Sequence, residues 1–336
     1  MKNLLYIGNK LSNKGKTVTS IETLGKFLDA EGFKVITASN KSNKFLRLLD
    51  MLCHVIKYRK VADYVLIDTY STSNFYYAYF VSQLCRLFRI KYIPILRGGK
   101  LPIRLKKSPK LSKAIFNNAY VNIAPSLYIK SNFEDLGYHN IICIPNSIEL
   151  KKYTFKENTF DTIKLLWVRS FSKIYNPQLA IKVLKTLKDN GLNASLCMVG
   201  PENDGSLQDT KTLANTLGVE VVFTGKLSKQ EWLILSSDYN IFINTANFDN
   251  MPVSVIEAMA LGLPVISTNV GGIPFLIKHQ KNGILVNPNN VNEFVEQIVN
   301  LIDSPSDANR LAKSARTLVE DFDWLNIKNQ WVELLR

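Results

Sequence analysis

Twelve short apolar runs, separated by stretches long enough for a helix, constrain this chain more than any other feature. In the first half they fall at residues 4–8, 34–38, 65–68, 92–96, 120–124 and 141–144. In the second half they fall at 163–168, 194–199, 219–224, 240–245, 264–268 and 283–286. Such runs, rich in Val, Ile and Leu, read as strands covered on both faces. Their alternation with amphipathic segments predicts an α/β chain of two doubly wound parallel sheets in tandem. The polar stretch Glu149–Thr162 is the expected linker. Ligands of such sheets bind at the carboxyl ends of the strands, so a cleft between two such domains is the default site.

The chain has 336 residues, with 46% hydrophobic and 10% aromatic content. That length suits two domains, and that composition excludes disorder. The four cysteines, Cys53, Cys85, Cys143 and Cys197, are scattered, with no Cys-x-x-Cys pair, and read as thiols of a reducing compartment. The Met1–Gly8 segment is too short in apolar core for a signal peptide, and no run is long enough to span a membrane. A cytoplasmic protein is expected, with a peripheral place at the inner face of the membrane. The net charge is +14. From Thr69 to Phe133 there is no Asp or Glu but there are eleven Lys or Arg, interleaved with Leu, Ile and Phe. Such a block attracts phosphates and favours an anionic membrane surface or a lipid-linked phosphate over nucleic acid.

The segment Phe248–Pro274 carries the densest chemistry. Asp249 and Asn250 are N-cap types, Pro252 suits a first helical position, Val253–Leu261 reads as a helix, and Gly262 and Pro264 end it. The start of that helix offers free amide groups to a phosphate. Glu257 has Val253 and Leu261 at i−4 and i+4. A carboxylate on such an apolar face is either a satisfied structural acid or a ligand contact, and it can accept from two adjacent ribose hydroxyls. Gly8 to Thr17 imitates a P-loop after the first strand, but six residues separate Gly8 from Gly15 where the motif needs four. The Gly15 amide remains a candidate phosphate contact.

With these residues in place, the second half resembles the retaining glycosyltransferases of family 4. The resemblance rests on Glu257-Ala-Met-Ala260, Gly262-Leu-Pro-Val265 and Val270-Gly-Gly-Ile-Pro274, with Asp249 standing where the family usually has a Glu. Leu166–Pro177 resembles the loop that carries Arg169 and Lys173 to the donor diphosphate. Met198–Glu202, including Gly200, and Val222–Leu227, including Thr224, Gly225, Lys226 and Leu227, resemble loops around the nucleotide. The resemblance implies the GT-B fold, two Rossmann-like domains facing across a cleft. Residues 1–155 with a terminal helix in 322–336 would bind the acceptor, and 156–321 the donor. Where many relatives have a His, this chain has Arg97, followed by Gly98, Gly99 and Lys100, which become candidates for acceptor or phosphate contact.

The same resemblance implies transfer of a sugar from a nucleotide-sugar donor to an acceptor hydroxyl with retention, and the basic block suggests a role in surface polysaccharide synthesis such as capsule, O-antigen or exopolysaccharide. The acceptor would be lipid-linked or an oligosaccharide. Asp249, Glu257, Arg169 and Lys173 are the expected catalytic residues. Asn250, Met251, Pro252, Val253 and Ser254 are further donor contacts. No Asp-x-Asp motif is present, and neither a metal nor a cofactor is expected. Amides near Pro252–Ser254 and Gly271–Gly272 would share the diphosphate charge. The alternatives are a non-hydrolysing nucleotide-sugar epimerase on the same fold, or a basic binding module without catalysis.

Overall fold

The computed structural model describes residues 1–14 and 18–336. Contacts divide the chain into two compact units, Met1–Ser147 with Trp324–Arg336, and Ile148–Asp323.

The first unit runs β1 (Asn3–Ile7), α1 (Ser20–Ala30), β2 (Lys34–Ala38), α2 (Lys44–Tyr58), β3 (Tyr64–Thr69), α3 (Asn74–Leu87) and β4 (Lys91–Leu96). It continues with α4 (Leu101–Lys107), α5 (Pro109–Phe116), β5 (Asn122–Ala124), α6 (Leu127–Asp135) and β6 (Ile141–Cys143). Its strands pair in parallel in the order β2-β1-β3-β4-β5-β6. The period-2 alternation of strand side chains sorts them onto two faces. Leu4, Tyr6, Leu66 and Ile93 pack under α1, whereas Leu5, Ile7, Val65 and Ile67 pack under α2, α3 and α5.

The second unit runs β7 (Ile163–Val168), α7 (Pro177–Asp189), β8 (Ala194–Val199), α8 (Ser206–Thr216), β9 (Val222–Gly225), α9 (Lys229–Ser236) and β10 (Ile241–Asn244). It continues with α10 (Val253–Leu261), β11 (Val265–Thr268), α11 (Ile273–Leu276), β12 (Ile284–Val286), α12 (Val291–Asp303) and α13 (Pro305–Glu320). Its parallel order is β12-β11-β10-β7-β8-β9. One face buries Leu165, Trp167, Ile241 and Ile243 beneath α7 and α12, and the other buries Leu166, Phe242 and Val265 beneath α10 and α13. The last helix, α14 (Trp324–Leu335), belongs to the first unit, where Trp324 stacks on Phe27 at 4.7 Å between ring centres.

All twelve expected strands form, with ends shifted by a few residues at most. The stretch Glu149–Thr162 is not a free tether, as it packs as a strap on the second unit. Tyr153, Asn158 and Phe160 are buried there. The strap also satisfies the end of α10, whose last carbonyls lack intrahelical partners. Lys156 N–H donates to Leu261 C=O at 3.2 Å, and Asn158 Nδ2 donates to Gly262 C=O at 2.7 Å. Arg316 Nη1 donates to Ala260 C=O at 2.5 Å. Gly262 sits at φ +86°, and a Cβ there would meet Lys156 O at 2.4 Å, so only glycine fits the turn beneath the strap.

Candidate functional site

In the second sheet the chain reverses direction of winding between β7 and β10, which lie side by side. Loops leaving the carboxyl ends of two such strands diverge and leave a crevice, the general ligand position of open α/β sheets. Arg169 follows β7, and Asp249 follows β10. Their side chains form an ion pair, with 16% and 11% exposure. The guanidinium also lies over the Tyr175 ring at 4.2 Å. Burial pulls its pKa below the ordinary arginine value, with Tyr175 opposing. Asp249 Oδ1 accepts from Asn250 N–H at 2.9 Å. The two loops are joined by backbone as well, since Asn247 N–H donates to Ile174 C=O at 2.8 Å. Trp167 Nε1 donates to Thr245 Oγ1 at 2.9 Å, and Thr245 Oγ1 donates to Tyr175 C=O at 2.9 Å.

Glycines fix how closely these loops approach. A Cβ on Gly200, after β8, would lie 1.7 Å from Arg169 O. Cβ atoms on Gly271 and Gly272 would lie 2.1 Å from Asp249 O and 2.2 Å from Asn250 O. The glycine pair therefore exists to let the 249–250 backbone pass. Gly272 N–H, expected among the donors to a diphosphate, is instead bonded to Asp249 C=O at 2.9 Å.

Helix α10 spans Val253–Leu261, as the sequence run predicts. Pro252 is its N-cap rather than its first residue, and Val255 and Ile256 N–H both bond Pro252 C=O. Its first-turn amides, at Val253 and Ser254, precede the first intrahelical bond. Met251 and Asn250 are buried beside them, as is the Ser254 hydroxyl, which has no hydrogen-bond partner within the protein.

Glu257 lies on the same helix, 5% exposed. Tyr153 OH donates to its Oε1 at 2.8 Å, and Lys229 Nζ forms an ion pair with the same oxygen. Burial first, and the Glu257 charge second, push the Tyr153 hydroxyl well above its ordinary pKa, so it remains a donor. Both contacts fall on one oxygen, and a carboxylate has about four lone-pair sites, so capacity remains for two hydroxyls. Neither Tyr153, 104 positions away in the chain, nor Lys229, 28 away, was identified from sequence. The Ser228–Glu231 capping box that starts α9 is the one local signal near Lys229.

Lys173 is exposed in a short 3-10 turn, Lys173–Tyr175. Asp204 holds that turn by accepting from Ser172 Oγ at 2.7 Å and Lys173 N–H at 3.1 Å. Glu202 in turn accepts from the amides of Asn203, Asp204, Gly205 and Leu207 at 2.6–2.9 Å. Desolvation raises the Glu202 pKa, but these four bonds together outweigh it and leave the pKa below the ordinary value. Gly200 N–H donates to Gly225 C=O at 2.9 Å, so the loop after β8 meets the end of β9, where Thr224 lies and which Lys226 and Leu227 follow.

Gly15 falls outside the described residues. Arg97 through Lys100 lie in the first unit, where Arg97 is committed internally. Its Nε pairs with Asp68 Oδ1 at 3.2 Å, and its Nη1 donates to Asn146 Oδ1 at 2.6 Å. Tyr6 OH donates to the same Asp68 oxygen at 3.0 Å. Arg97 is thus a half-buried brace of the β3 and β4 ends. A Cβ on Gly98 would meet Ser71 N at 2.7 Å, a close backbone approach that keeps this turn glycine. Among the described residues, no group of three or more His, Cys, Asp or Glu is placed to hold a metal ion.

Two such sheets with flanking helices define a GT-B protein. Sucrose-phosphate synthase from Thermosynechococcus elongatus aligns with a TM-score of 0.82 over 99% of this chain and 98% of that one, at 16% identity. Anabaena HepE, solved in complex with UDP-glucose, aligns with a TM-score of 0.78 over 100% and 99%, at 16% identity. The family of glycosyl transferases group 1 matches residues 151–318, and the chain belongs to that family. Among curated relatives, the sulfoquinovosyl transferase of Arabidopsis thaliana is 29% identical over 148 residues, 43% of this chain and 28% of that protein. An Escherichia coli UDP-Gal:alpha-D-GlcNAc-diphosphoundecaprenol alpha-1,3-galactosyltransferase is 26% identical over 196 residues, 53% of this chain and 49% of that protein. The matches thus span between about a quarter and a half of those relatives.

Proposed function

We propose that the protein is a retaining glycosyltransferase that moves a sugar from a nucleotide-sugar donor to an acceptor hydroxyl, and that its second unit binds the donor. The observation that carries this reading is the meeting of Arg169, Asp249 and the start of α10 at the carboxyl edge of β7 and β10. A cation, a carboxylate and unpaired helix amides at a topological switch point suit a ligand that is both anionic and hydroxylated. The leaving diphosphate gains charge in the transition state, and Arg169, Lys173 and the first-turn amides of α10 supply fixed positive groups for it, without a metal. Glu257 holds the ribose hydroxyls, and Asp249 orients Arg169 and faces the donor sugar. The leaving phosphate accepts the acceptor's proton.

The donor reading is supported by family membership and by the UDP-glucose bound to the structurally similar HepE. The acceptor is a lipid-linked or oligosaccharide hydroxyl of surface polysaccharide synthesis, and the working place is an anionic membrane surface. The relative from Escherichia coli acts, by its name, on a diphosphoundecaprenol substrate. No helix among the described residues is long and apolar enough to cross a membrane.

A thermal-shift screen of nucleotide sugars tests donor binding, since a ligand at 100 times its Kd stabilises by about 2.7 kcal/mol. Radiolabelled donors incubated with protein and a membrane extract test transfer. Label entering lipid supports the proposal. Label confined to an altered free donor establishes an epimerase, and an unchanged donor with no thermal shift refutes the reading.

A further inference from the structure

One face of the first sheet is covered by α2, α3, α4 and α5, with α2 beside α3 and α3 beside α5. The inner sides of these helices are core, and their outer sides are unusually apolar. On α2, Phe45 is 67% exposed, and Leu46, Leu49 and Ile56 are exposed with it. Cys53 is exposed on the same helix. On α3, Leu87 is 73% exposed, and Tyr76 and Phe80 are exposed too. Phe45, Leu49 and Ile56 repeat the spacing of Tyr76, Phe80 and Leu87, four residues and then seven. At about 100° per residue, each triplet lies within an arc of roughly 40°. Single exposed apolar residues need no explanation, but two aligned stripes on neighbouring helices form a patch.

The surroundings of the patch are cationic. Residues 32–133 contain eighteen Lys or Arg and three acids, Asp50, Asp63 and Asp68. Each acid is engaged. Asp50 lies 3.5 Å from His54, Asp63 pairs with Lys2 at 3.2 Å, and Asp68 pairs with Arg97. Exposed Lys44, Lys57 and Lys60 flank the α2 stripe. Lys106, Lys107 and Lys110 lie exposed on α4 and α5. Arg59 reaches the Phe88 ring at 5.6 Å, which ties the end of α2 to the end of α3.

We infer that the outer face of α2 and α3 is a membrane-docking surface whose occupant is an anionic lipid bilayer. The apolar stripes enter the boundary between headgroups and acyl chains, and the lysine rim meets the lipid phosphates. Charge complementarity selects this occupant. A second copy of the chain would bring two cationic rims together, and nucleic acid would leave Phe45, Leu49 and Leu87 without a partner. The sequence block from Thr69 to Phe133 covers only part of this surface, because α2 precedes it. The inference deepens the membrane placement proposed above by naming the surface, and it does not depend on the reaction.

The test is flotation of the full chain with vesicles of phosphatidylcholine alone and of phosphatidylcholine with phosphatidylglycerol. Binding should be at least about tenfold tighter to the anionic vesicles, and Phe45→Ser with Leu49→Ser should weaken it about tenfold. A Phe45→Trp variant should show a blue-shifted emission difference against the parent protein only with anionic vesicles. The paired serine variant should keep the parent's melting temperature and its thermal shift with nucleotide sugar. Equal binding by the paired variant, no vesicle binding by the parent, or a reversible dimer abolished by Leu49→Ser would each overturn the inference. A failed donor screen with intact flotation would refute the transferase reading and leave this surface standing.

Discussion

Asp249→Asn keeps the shape of the side chain and removes its charge, which isolates the ion pair with Arg169. Both groups are more than four-fifths buried, so the loss is not erased by solvent screening. Two unit charges about 4 Å apart at an effective dielectric of about 20 attract by roughly 4 kcal/mol. The asparagine oxygen still accepts a hydrogen bond from the guanidinium, which keeps about 1.5 kcal/mol of that attraction, whereas the Tyr175 ring contact is common to both proteins and cancels. The net cost is therefore set at about 2–3 kcal/mol, just below the roughly 3–5 kcal/mol typical of a broken buried pair. For a unit the size of Ile148–Asp323, that corresponds to a fall of about 5–10 °C in its melting transition. Calorimetry of the parent, Asp249→Asn, Arg169→Met and the double variant would give the coupling directly. A coupling energy under about 0.5 kcal/mol would show that the pair does not hold the two loops together.

Four further outcomes follow from the same geometry. Glu257→Ala and Arg169→Ala should each lower turnover at least about 100-fold while circular dichroism stays native, and near-normal transfer by either would remove that residue from the site. Tyr153→Phe should cost about 1–2 kcal/mol in urea unfolding, because it removes a buried hydrogen bond to a carboxylate, and an unchanged midpoint would contradict that contact. Gly200→Ala should destabilise the second unit by at least about 2 kcal/mol and abolish the nucleotide-sugar thermal shift, since the added Cβ collides with the Arg169 carbonyl. The Glu202 pKa is lowered by folding, so its contribution is complete above its unfolded value, near pH 4.5, and fades as the pH drops through the folded one. Amide exchange at residues 203–207 should accelerate over that acid range in the parent, and Glu202→Gln should remove the dependence.

What the sequence made legible was what local pattern controls. The strands appear because an apolar run covered on both faces admits little else, and α10 appears because Gly262 and Pro264 leave it nowhere to continue. The link between Tyr153 and Glu257 was not legible. Tyr153 lies in a stretch whose polar composition suggests a linker, and only the unsatisfied carbonyls at the end of α10 explain why that stretch adheres. Lys229 was hidden for a similar reason, since a charged residue in a helix's first turn reads as solvated. The glycine pair at 271–272 was legible as a motif, but the close passage of the 249–250 backbone and the bond from Gly272 N–H to Asp249 C=O were not. Arg97 was legible only as a loop candidate for acceptor or phosphate, because its partners Asp68 and Asn146 are far from it in the chain. The α2 stripe has the spacing of a buried face, and exposure, which spacing does not encode, separates the two.

The chain order of the two units has a consequence for biosynthesis. The second unit is one continuous segment, whereas the first is completed only by Trp324–Arg336. Trp324, Ile327, Trp331 and Leu335 of α14 fill the layer that also holds Leu4, Tyr6 and Leu66. On a ribosome adding residues from the amino end, that side of the first sheet stays incompletely covered while the whole second unit is made. The second unit can reach its native state during synthesis, and the first must wait for the last helix. Chaperone dependence and sensitivity to carboxyl-terminal truncation should therefore concentrate in the half of the protein that is made first.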